Sequence, residues 1–327
     1  MVATAILGAS GYAGQETLDR VLAHPELELV ALGSDSLAGA PAPALDPRLA
    51  RHDLPVFLGN DAALASGADL VFCCLGNERA AALEAPEGAV VVDLSGAHRL
   101  VEPAAYAEWY GFEHPRPGSL AAWSYALPEL WPPTGPLIAN PGCYVTAALL
   151  ALAPLVGAID QAGVVVDAKS GVSGAGRAPR ESSHAGAVLE NVTAYRVGTH
   201  QHEPELAQLL GFDVCFVPHV LPVRRGLLAT CYVEPTGDDL RERLEATYAT
   251  SPVVTVVPDG AVPDLVRVQG TDAAEIGLFF DRATARAIVI CALDNLGKGA
   301  AGQAVQNANL ITGQPETAGL EGTPLWP

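Results

Sequence analysis

A series of short apolar segments, each running into glycine, limits the folds open to this chain. They read TAILGAS (4–10), LELVALGS (27–34), ADLVFCCLG (68–76) and GAVVVDLSG (88–96). Continuously apolar segments of this length are typical of strands buried on both faces of a parallel sheet. Between the first two, Leu18, Val21 and Leu22 recur at helical spacing, which predicts a crossover helix. The first part of the chain is therefore predicted to be an α/β domain.

The second half has a different pattern. Its predicted strands are VVVDAKSG (164–171), DVCFVPHV (213–220), LLATCYVEP (227–235) and ARAIVICAL (285–293). Helices are predicted at 239–248, where the pattern is amphipathic, and at 299–313, which is rich in small residues. A length of 327 residues suits two domains, so we expect a mostly β second domain with helices on one side.

Charge and cysteine content exclude several classes of protein. The net charge is −19 and the lysines are Lys169 and Lys298, so nucleic acid and anionic membranes are not expected partners. No apolar run is long enough to span a bilayer, and the N-terminus lacks the positive region of a signal peptide. The six cysteines form no Cys-x-x-Cys pair, which argues against zinc and a disulfide framework. Those in predicted strands are expected to be buried free thiols.

The segment GASGYAG (8–14) joins the first predicted strand to the first predicted helix. Glycine lets the backbone approach a pyrophosphate, and the helix N-terminus directs N–H groups toward it. The segment therefore predicts a dinucleotide site, with a plain tight turn as the alternative. Asp35 follows Gly14 by 21 residues, where an acid binds the ribose hydroxyls of NAD and a cation favours NADP. A solvated turn acid is the alternative for Asp35.

The segment NPGCY (140–144) places Cys143 where a Pro-Gly turn opens an apolar helix. A helix N-terminus lowers the pKa of a thiol, and the resulting thiolate can attack an acyl carbon to form a thioester. Nearby N–H groups can stabilise the developing oxyanion. The alternative is that Cys143 is a small buried hydrophobic residue.

Three further segments carry cations or histidines. They are KSGVSGAGR (169–177), HQHEPE (200–205) and FVPHVLPVRRG (216–226). A histidine suits acid–base chemistry, and paired arginines suit carboxylate or phosphate. Structural histidines and exposed turn arginines are the alternatives. No third ligand follows the two histidines at a suitable spacing, so no metal site is predicted.

Together these motifs resemble the N-acetyl-gamma-glutamyl-phosphate reductase family, which is related to aspartate-semialdehyde and glyceraldehyde-3-phosphate dehydrogenases. The resemblance covers nearly the whole chain and is more specific than any single motif. The segments that carry it are GASGYAG, DLSGAHRL (93–100), YALPELW (125–131), NPGCY, KSGVSGAGR, AYRVGTHQHEPE (194–205), FVPHVLPVRRGLLATC (216–231) and NLGKGAAGQAVQN (295–307).

The resemblance implies NADPH-dependent reduction of N-acetyl-glutamyl 5-phosphate to N-acetyl-glutamate 5-semialdehyde and phosphate, in arginine biosynthesis. Cys143 is implied as the nucleophile and His202 as the acid/base, in preference to His200 and His219. The implied cofactor-binding residues are Gly8, Ser10, Gly11, Tyr12, Ala13, Gly14, Ser34, Asp35, Ser36 and Asn295. The implied substrate-binding residues are Arg99, Arg177, His200, Arg224 and Arg225.

The resemblance also implies an architecture. A Rossmann-type nucleotide domain is expected over 1–142, completed by a C-terminal helix over 299–327. An α+β catalytic and oligomerisation domain with a mixed sheet is expected over 143–298, forming a homodimer or homotetramer in the cytoplasm. Two positions depart from the family pattern. Asp35 stands where arginine is common, so NAD is not excluded as cofactor, and His98 replaces an aromatic residue without an evident role.

Other functions fit parts of the pattern. A paralogous reductase of lysine biosynthesis acts on an aminoadipyl phosphate held by a small acidic carrier protein, which a chain of charge −19 would repel. Aspartate-semialdehyde dehydrogenase activity is a second alternative. A catalytically inactive dinucleotide-sensing protein is a third, and it would not need the pairing of Cys143 with His202.

Overall fold

The computed structural model describes residues 1–325, which divide into two compact units. The first unit comprises residues 1–107, 112–141 and 300–320. The second comprises residues 108–111, 142–299 and 321–325. The last two residues of the predicted C-terminal segment 299–327 lie outside the described residues.

The first unit is built on a parallel sheet, as its apolar segments predict. Within the described chain its strands are β1 (Val2–Leu7), β2 (Leu27–Gly33), β3 (Phe57–Leu58), β4 (Leu70–Cys73), β5 (Val90–Asp93), β6 (Ser124–Tyr125) and β7 (Leu137–Ala139). Their order is β3-β2-β1-β4-β5-β7-β6, and every pairing is parallel. The order reverses direction beside β1, where such sheets bind dinucleotides at the carboxyl ends of the strands.

Helices cover both faces of this sheet. The helices of the first unit are α1 (Tyr12–Ala23), α2 (Asn60–Leu64), α3 (Asn77–Ala81) and α9 (Gly302–Thr312). One apolar cluster joins the sheet to Leu18 of α1 and Val305 of α9, and another joins it to Ala63 of α2 and Ala80 of α3. Helix α9 ends before Gly313, which adopts φ +72° in the left-handed region, and Pro315 follows.

The second unit contains a mixed sheet. Its strands are β8 (Ile159–Gly171), β9 (Thr193–Ala194), β10 (Cys215–Leu221), β11 (Leu227–Pro235), β12 (Val254–Val256), β13 (Ala274–Phe280) and β14 (Ala287–Leu293). Their order is β12-β13-β14-β11-β8-β10-β9, with parallel pairing in β12/β13 and β8/β10. The helices are α4 (Cys143–Leu152), α5 (Ala185–Val188), α6 (His202–Leu210), α7 (Leu240–Tyr248) and α8 (Leu265–Val268).

Helix α4 forms the centre of the second unit. Every residue of α4 after Cys143 is buried, and the helix packs against β8, β11, β14 and α6. A helix that is apolar on all sides must be surrounded by other elements. The predicted fold class, a Rossmann-type sheet with an α+β domain of mixed sheet, is confirmed.

One expectation about the cysteines is wrong. Cys73, Cys231 and Cys291 are buried free thiols. Cys74, just after β4, is only half-buried, and Cys215 is exposed because it begins β10 near the sheet edge. Among residues 1–325 no group of histidine, cysteine and acidic side chains could hold a metal ion. The same residues contain no helix long and apolar enough to cross a membrane.

Candidate active site

The loop between β1 and α1 has the backbone shape that a dinucleotide requires. Gly8 adopts φ +70°, and a methyl group on it would lie 2.4 Å from the carbonyl oxygen of Cys74. A methyl group on Gly14 would lie 2.4 Å from the carbonyl oxygen of Gly8. An α-helix leaves its first N–H groups without an intrahelical partner, so the start of α1 provides donors for phosphate oxygens. These glycines therefore fit the predicted dinucleotide.

The end of β2 lies beside this loop. The hydroxyl of Ser34 is 2.8 Å from the hydroxyl of Ser10 and 3.3 Å from that of Ser36. Asp35 is exposed, and its Oδ1 accepts a hydrogen bond of 2.8 Å from the backbone N–H of Asn60. That hydrogen bond lowers the pKa of the Asp35 carboxyl. The carboxylate therefore stays charged at neutral pH and is held at the start of α2.

Asn60 was not predicted from the sequence, although it organises this region. Its Oδ1 accepts a 2.9 Å hydrogen bond from the backbone N–H of Gly8. Asn60 thus connects the glycine loop after β1 to Asp35 after β2. The two partners lie 52 and 25 residues away, so no local pattern marks the role.

Arg99, predicted to bind substrate, is buried in the first unit. Its Nε donates a 2.7 Å hydrogen bond to the carbonyl oxygen of Asn140, and an Nη donates one of 2.8 Å to the carbonyl oxygen of Leu94. These two contacts fix the backbone on the approach to the Pro-Gly turn.

The structure gives His98 clear partners. Its Nδ1 donates a 2.7 Å hydrogen bond to Asp93, and both side chains are almost fully buried. The imidazole ring stacks on Trp123, with ring centroids 3.7 Å apart and planes inclined by 14°. Burial raises the pKa of Asp93, but hydrogen bonds from His98 and Ser95 and the charge of His98 outweigh burial, so the pKa lies below 3.8.

Replacing His98 with phenylalanine should destabilise the protein by about 3 kcal/mol at pH 7, because a buried carboxylate loses its partner. The difference should shrink as the pH falls through the lowered pKa of Asp93, since a protonated Asp93 no longer needs the hydrogen bond from His98. Urea unfolding of the wild type and of His98→Phe measures both effects. In Asp93→Asn/His98→Phe the loss should be smaller than the sum of the single losses, and additive losses would contradict the pairing.

Cys143 is the first residue of α4 and is half-buried. The backbone N–H of Gly142, the residue before it, donates a 3.0 Å hydrogen bond to the carboxylate of Glu205. A methyl group on Gly299 would lie 2.9 Å from Cβ of Cys143. Gly299 belongs to NLGKG, so this motif packs against the predicted nucleophile. The start of α4 is also where the helix dipole stabilises a thiolate.

His202 is the first residue of α6, His200 lies two residues before it, and both lie beside the start of α4. The rings of His200 and His202 each have centroids 5.9 Å from the ring of Tyr144. The Nδ1 of His200 accepts a 3.1 Å hydrogen bond from the backbone N–H of His202. Burial, with a smaller effect of Arg196, lowers the pKa of His200 to about 4, so its imidazole is neutral at pH 7.

Two tyrosines complete this aromatic group. Tyr144 donates a 2.9 Å hydrogen bond to the carbonyl oxygen of His219, and Tyr195 donates one of 3.4 Å to the hydroxyl of Tyr144. Burial raises the pKa of both phenols, to about 12 for Tyr195. Both therefore remain protonated and act as neutral hydrogen-bonding groups.

The paired arginines have different environments. Arg225 forms a bidentate ion pair with Asp294, at 2.6 and 3.0 Å, and Asp294 is fully buried. Asp294 also accepts hydrogen bonds from the backbone N–H groups of Gly270, Leu296 and Gly297. Arg225 therefore holds the backbone together, whereas Arg224 is exposed at the turn between β10 and β11.

Asn295, predicted to bind the cofactor, connects two loops of the second unit. Its Oδ1 accepts a 2.8 Å hydrogen bond from the backbone N–H of Gly226, and its Nδ2 donates one of 3.0 Å to Ser173. Arg177 is exposed at the end of the same glycine-rich loop as Ser173. Asn295 thus fixes the loops that carry Arg177 and Arg224.

Lys169 and His219 both contact Asp167. Lys169 Nζ lies 2.6 Å from one carboxylate oxygen of Asp167, and His219 Nδ1 lies 3.2 Å from the other. All three side chains are half-buried on the β8/β10 part of the mixed sheet. Lys169 is therefore engaged with a neighbouring carboxylate.

Comparison with known proteins decides the family. Residues 3–134 match the semialdehyde dehydrogenase NAD binding domain, and residues 143–295 match the semialdehyde dehydrogenase dimerisation domain. The N-acetyl-gamma-glutamyl-phosphate reductase of Acidothermus cellulolyticus is 44% identical over 97% of this chain and 96% of its own. The N-acetyl-gamma-glutamyl-phosphate reductase of Salinispora arenicola is 45% identical over 98% of this chain and 97% of its own. The chain belongs to the N-acetyl-gamma-glutamyl-phosphate reductase family.

Solved structures of lower sequence identity share the fold of this family member. Aspartate semialdehyde dehydrogenase II from Vibrio cholerae, complexed with ASA, gives a TM-score of 0.71 at 18% identity over 95% of this chain and 98% of its own. Aspartate semialdehyde dehydrogenase from Candida albicans, solved with NADP, gives a TM-score of 0.63 at 19% identity. This match also covers 95% of this chain and 98% of that one. These likenesses support the two-domain architecture.

Proposed function

We propose that this family member reduces N-acetyl-glutamyl 5-phosphate to N-acetyl-glutamate 5-semialdehyde in arginine biosynthesis. The observation that carries the proposal is the placement of Cys143 at the start of α4, with Gly299 packed against its Cβ and His202 in ring contact with Tyr144. The relatives with this name cover nearly the whole chain, which supports the choice of substrate.

The chemistry follows from these positions. The Sγ of Cys143 attacks the acyl carbon, the bond from that carbon to the phosphate oxygen breaks, and phosphate leaves to give a thioester on Cys143. A reduced nicotinamide dinucleotide held by the loop 8–14 would supply the hydride that reduces the thioester carbon. His202 donates a proton to the oxygen that develops negative charge and removes it again when the hemithioacetal collapses. Collapse breaks the C–S bond and regenerates the Cys143 thiolate.

Exposed guanidinium groups on two loops are suited to the anionic substrate. We assign the binding of the substrate anions to Arg177 and Arg224. Asn295 holds the loops that carry these arginines, through its hydrogen bonds with Ser173 and Gly226. Arg225 and Arg99 contribute by fixing the backbone, since their contacts are with Asp294 and with carbonyl oxygens.

We propose NADPH as the reductant, bound by the loop 8–14 and by the hydroxyl groups of Ser34 and Ser36. Asp35 carries a negative charge at this place. Asp35 therefore weakens NADPH binding without changing the fold of the loop, which Asn60 holds.

Replacing Asp35 with asparagine should lower the Kd for NADPH by about three- to tenfold relative to that for NADH, because it removes a negative charge near the extra phosphate. Fluorescence titration with each dinucleotide measures the ratio without turnover. Asp53→Asn, a change of an exposed acid elsewhere in the first unit, is the matched control. An unchanged ratio would show that Asp35 does not face the 2′ position, and tighter binding of NADH by the wild type would overturn the preference for NADP.

The substrate proposal is tested by comparing acyl phosphates directly. Turnover should be fastest with N-acetyl-glutamyl 5-phosphate, and in reverse with N-acetyl-glutamate 5-semialdehyde, NADP and phosphate. Aspartyl phosphate and a carrier-bound aminoadipyl phosphate should react far more slowly. Equal or faster turnover with the carrier-bound substrate would assign the protein to lysine biosynthesis instead of arginine biosynthesis. Binding of a dinucleotide without turnover of any acyl phosphate would favour a sensing role.

We also propose a homodimer or homotetramer that acts in the cytoplasm. One face of the mixed sheet carries α4, while Val165, Tyr232 and Ile290 lie half-exposed on the other, which suits a second copy of the chain. The dimerisation-domain match over 143–295 supports this assignment.

The cysteines of the described chain are free thiols, as a reducing compartment such as the cytoplasm favours. Sedimentation at the monomer mass of 33.7 kDa would contradict the oligomer.

A further inference from the structure

Asn140 lies three residues before Cys143, at the last part of the first unit before the chain enters the second. None of its surface is exposed. Neither the motif NPGCY nor the proposed reaction gives this side chain a task. A buried amide must find hydrogen-bond partners inside the protein, so its contacts indicate what it holds.

Every polar group of Asn140 has a partner in the first unit. Its backbone N–H donates to the carbonyl oxygen of Asp93 at 2.9 Å, and its own carbonyl oxygen accepts from Arg99 at 2.7 Å. Its Oδ1 accepts from Nδ2 of Asn307 on α9 at 3.1 Å, and its Nδ2 donates to the carbonyl oxygen of Ala300 at 3.2 Å. With these groups committed, Asn140 has no means of binding a substrate directly.

The contact with Ala300 matters because of what precedes that residue. Gly299 touches Cys143, since a methyl group on it would lie 2.9 Å from Cβ of Cys143. The chain also returns to the first unit between Gly299 and Ala300. Asn140 therefore anchors both segments that lead to Cys143, the one that precedes it in the sequence and the one that packs against its side chain.

We propose that Asn140 is a positioning residue that sets the location of the Cys143 thiol through its amide. Arg99 and Asn307 support it by holding its carbonyl and its Oδ1. The inference rests on the proposed role of Cys143 as nucleophile. A misplacement of about 1 Å at a reacting atom can cost about 10²-fold in rate, so a modest shift of this anchor has a measurable effect.

Asn140→Asp tests the proposal, because it keeps the size and Oδ1 while placing an oxygen where Nδ2 faced the carbonyl of Ala300. We expect kcat to fall by about 10- to 100-fold with little change in KM. The rate of alkylation of Cys143 by iodoacetamide, mapped by mass spectrometry, should fall at least threefold. Asn307→Ala should also lower the alkylation rate, by a smaller factor. It replaces Asn140→Asp in the experiment if that variant does not fold.

Asn309→Asp is the matched control. Asn309 is a buried asparagine on α9 whose Nδ2 donates to two backbone carbonyls, of Glu316 and Ala318, away from the Pro-Gly turn. The Asn309→Asp variant should be destabilised like Asn140→Asp, while its kcat and its rate of Cys143 alkylation stay at the wild-type values. Equal effects of Asn140→Asp and Asn309→Asp on alkylation would overturn the proposal. Because alkylation needs no substrate, that outcome differs from failure of the proposed function, which would appear as turnover retained in Cys143→Ser.

Discussion

Replacement of Cys143 by serine is expected to lower the turnover of the acyl phosphate by at least about 10⁴-fold. Serine keeps the position at the start of α4, where Gly299 packs against Cβ of the side chain. A hydroxyl is far less ionised than a thiol at neutral pH and is a poor nucleophile without a strong base. The thioester would therefore not form, and no acyl group would be available to accept the hydride.

Binding of the dinucleotide should survive this change. The loop 8–14 and Ser34 belong to the first unit, so the Kd for NADPH should change by less than about twofold. Stopped-flow absorbance of phosphate release and of NADPH oxidation, together with fluorescence titration, separates the two effects. The wild type should release phosphate in a burst when the dinucleotide is omitted, because thioester formation precedes reduction.

Cys215→Ser provides the control for this experiment, since Cys215 is an exposed free thiol at the start of β10. Its turnover should equal that of the wild type, and iodoacetamide should label Cys143 faster than Cys215. Turnover retained in Cys143→Ser would refute covalent catalysis through this residue. Equal labelling of the two thiols would mean that the start of α4 does not activate Cys143.

Strands with a largely apolar pattern could be predicted from the sequence. Segment 227–235 was predicted as a strand and forms β11 over the same residues. By contrast, β13 was missed because Gly277 interrupts AEIGLFF, and glycine weakens a strand pattern. In the structure a methyl group there would lie 2.7 Å from Cδ of Pro263, so this glycine leaves room for the Pro263 ring. Only the tertiary contact explains its presence.

The proposed nucleophile could be predicted because its surroundings are local in sequence. The turn and the helix that would activate Cys143 are its immediate neighbours, and the glycines of 8–14 form the bend in which they lie. The supporting residues could not be predicted in this way. Asp294 pairs with Arg225 across 69 residues, and Glu205 reaches Gly142 across 63. A sequence shows that an arginine or an acid is present, but not which partner already occupies it.

Replacement of His202 is the second change for which a large loss of turnover is expected. Replacing it with asparagine should lower kcat by about 10²- to 10⁴-fold, the usual contribution of a positioned acid/base. The backbone N–H that donates to His200 remains, so the start of α6 should keep its conformation. Formation of the thioester should be less affected than its reduction, because the proton is needed when the oxygen of the hemithioacetal becomes negative. Single-turnover measurements of phosphate release and NADPH oxidation separate these steps.

His200→Asn is the matched control, because it removes a second imidazole from the same aromatic group. We expect it to cost less than about tenfold in kcat, since an asparagine oxygen can still accept the N–H of His202. The pH profiles also distinguish the two residues. The pKa of His200 is about 4, so any change of rate between pH 5 and 8 cannot come from its protonation. Such a change should therefore persist in His200→Asn, and its loss in that variant would assign the proton transfer to His200.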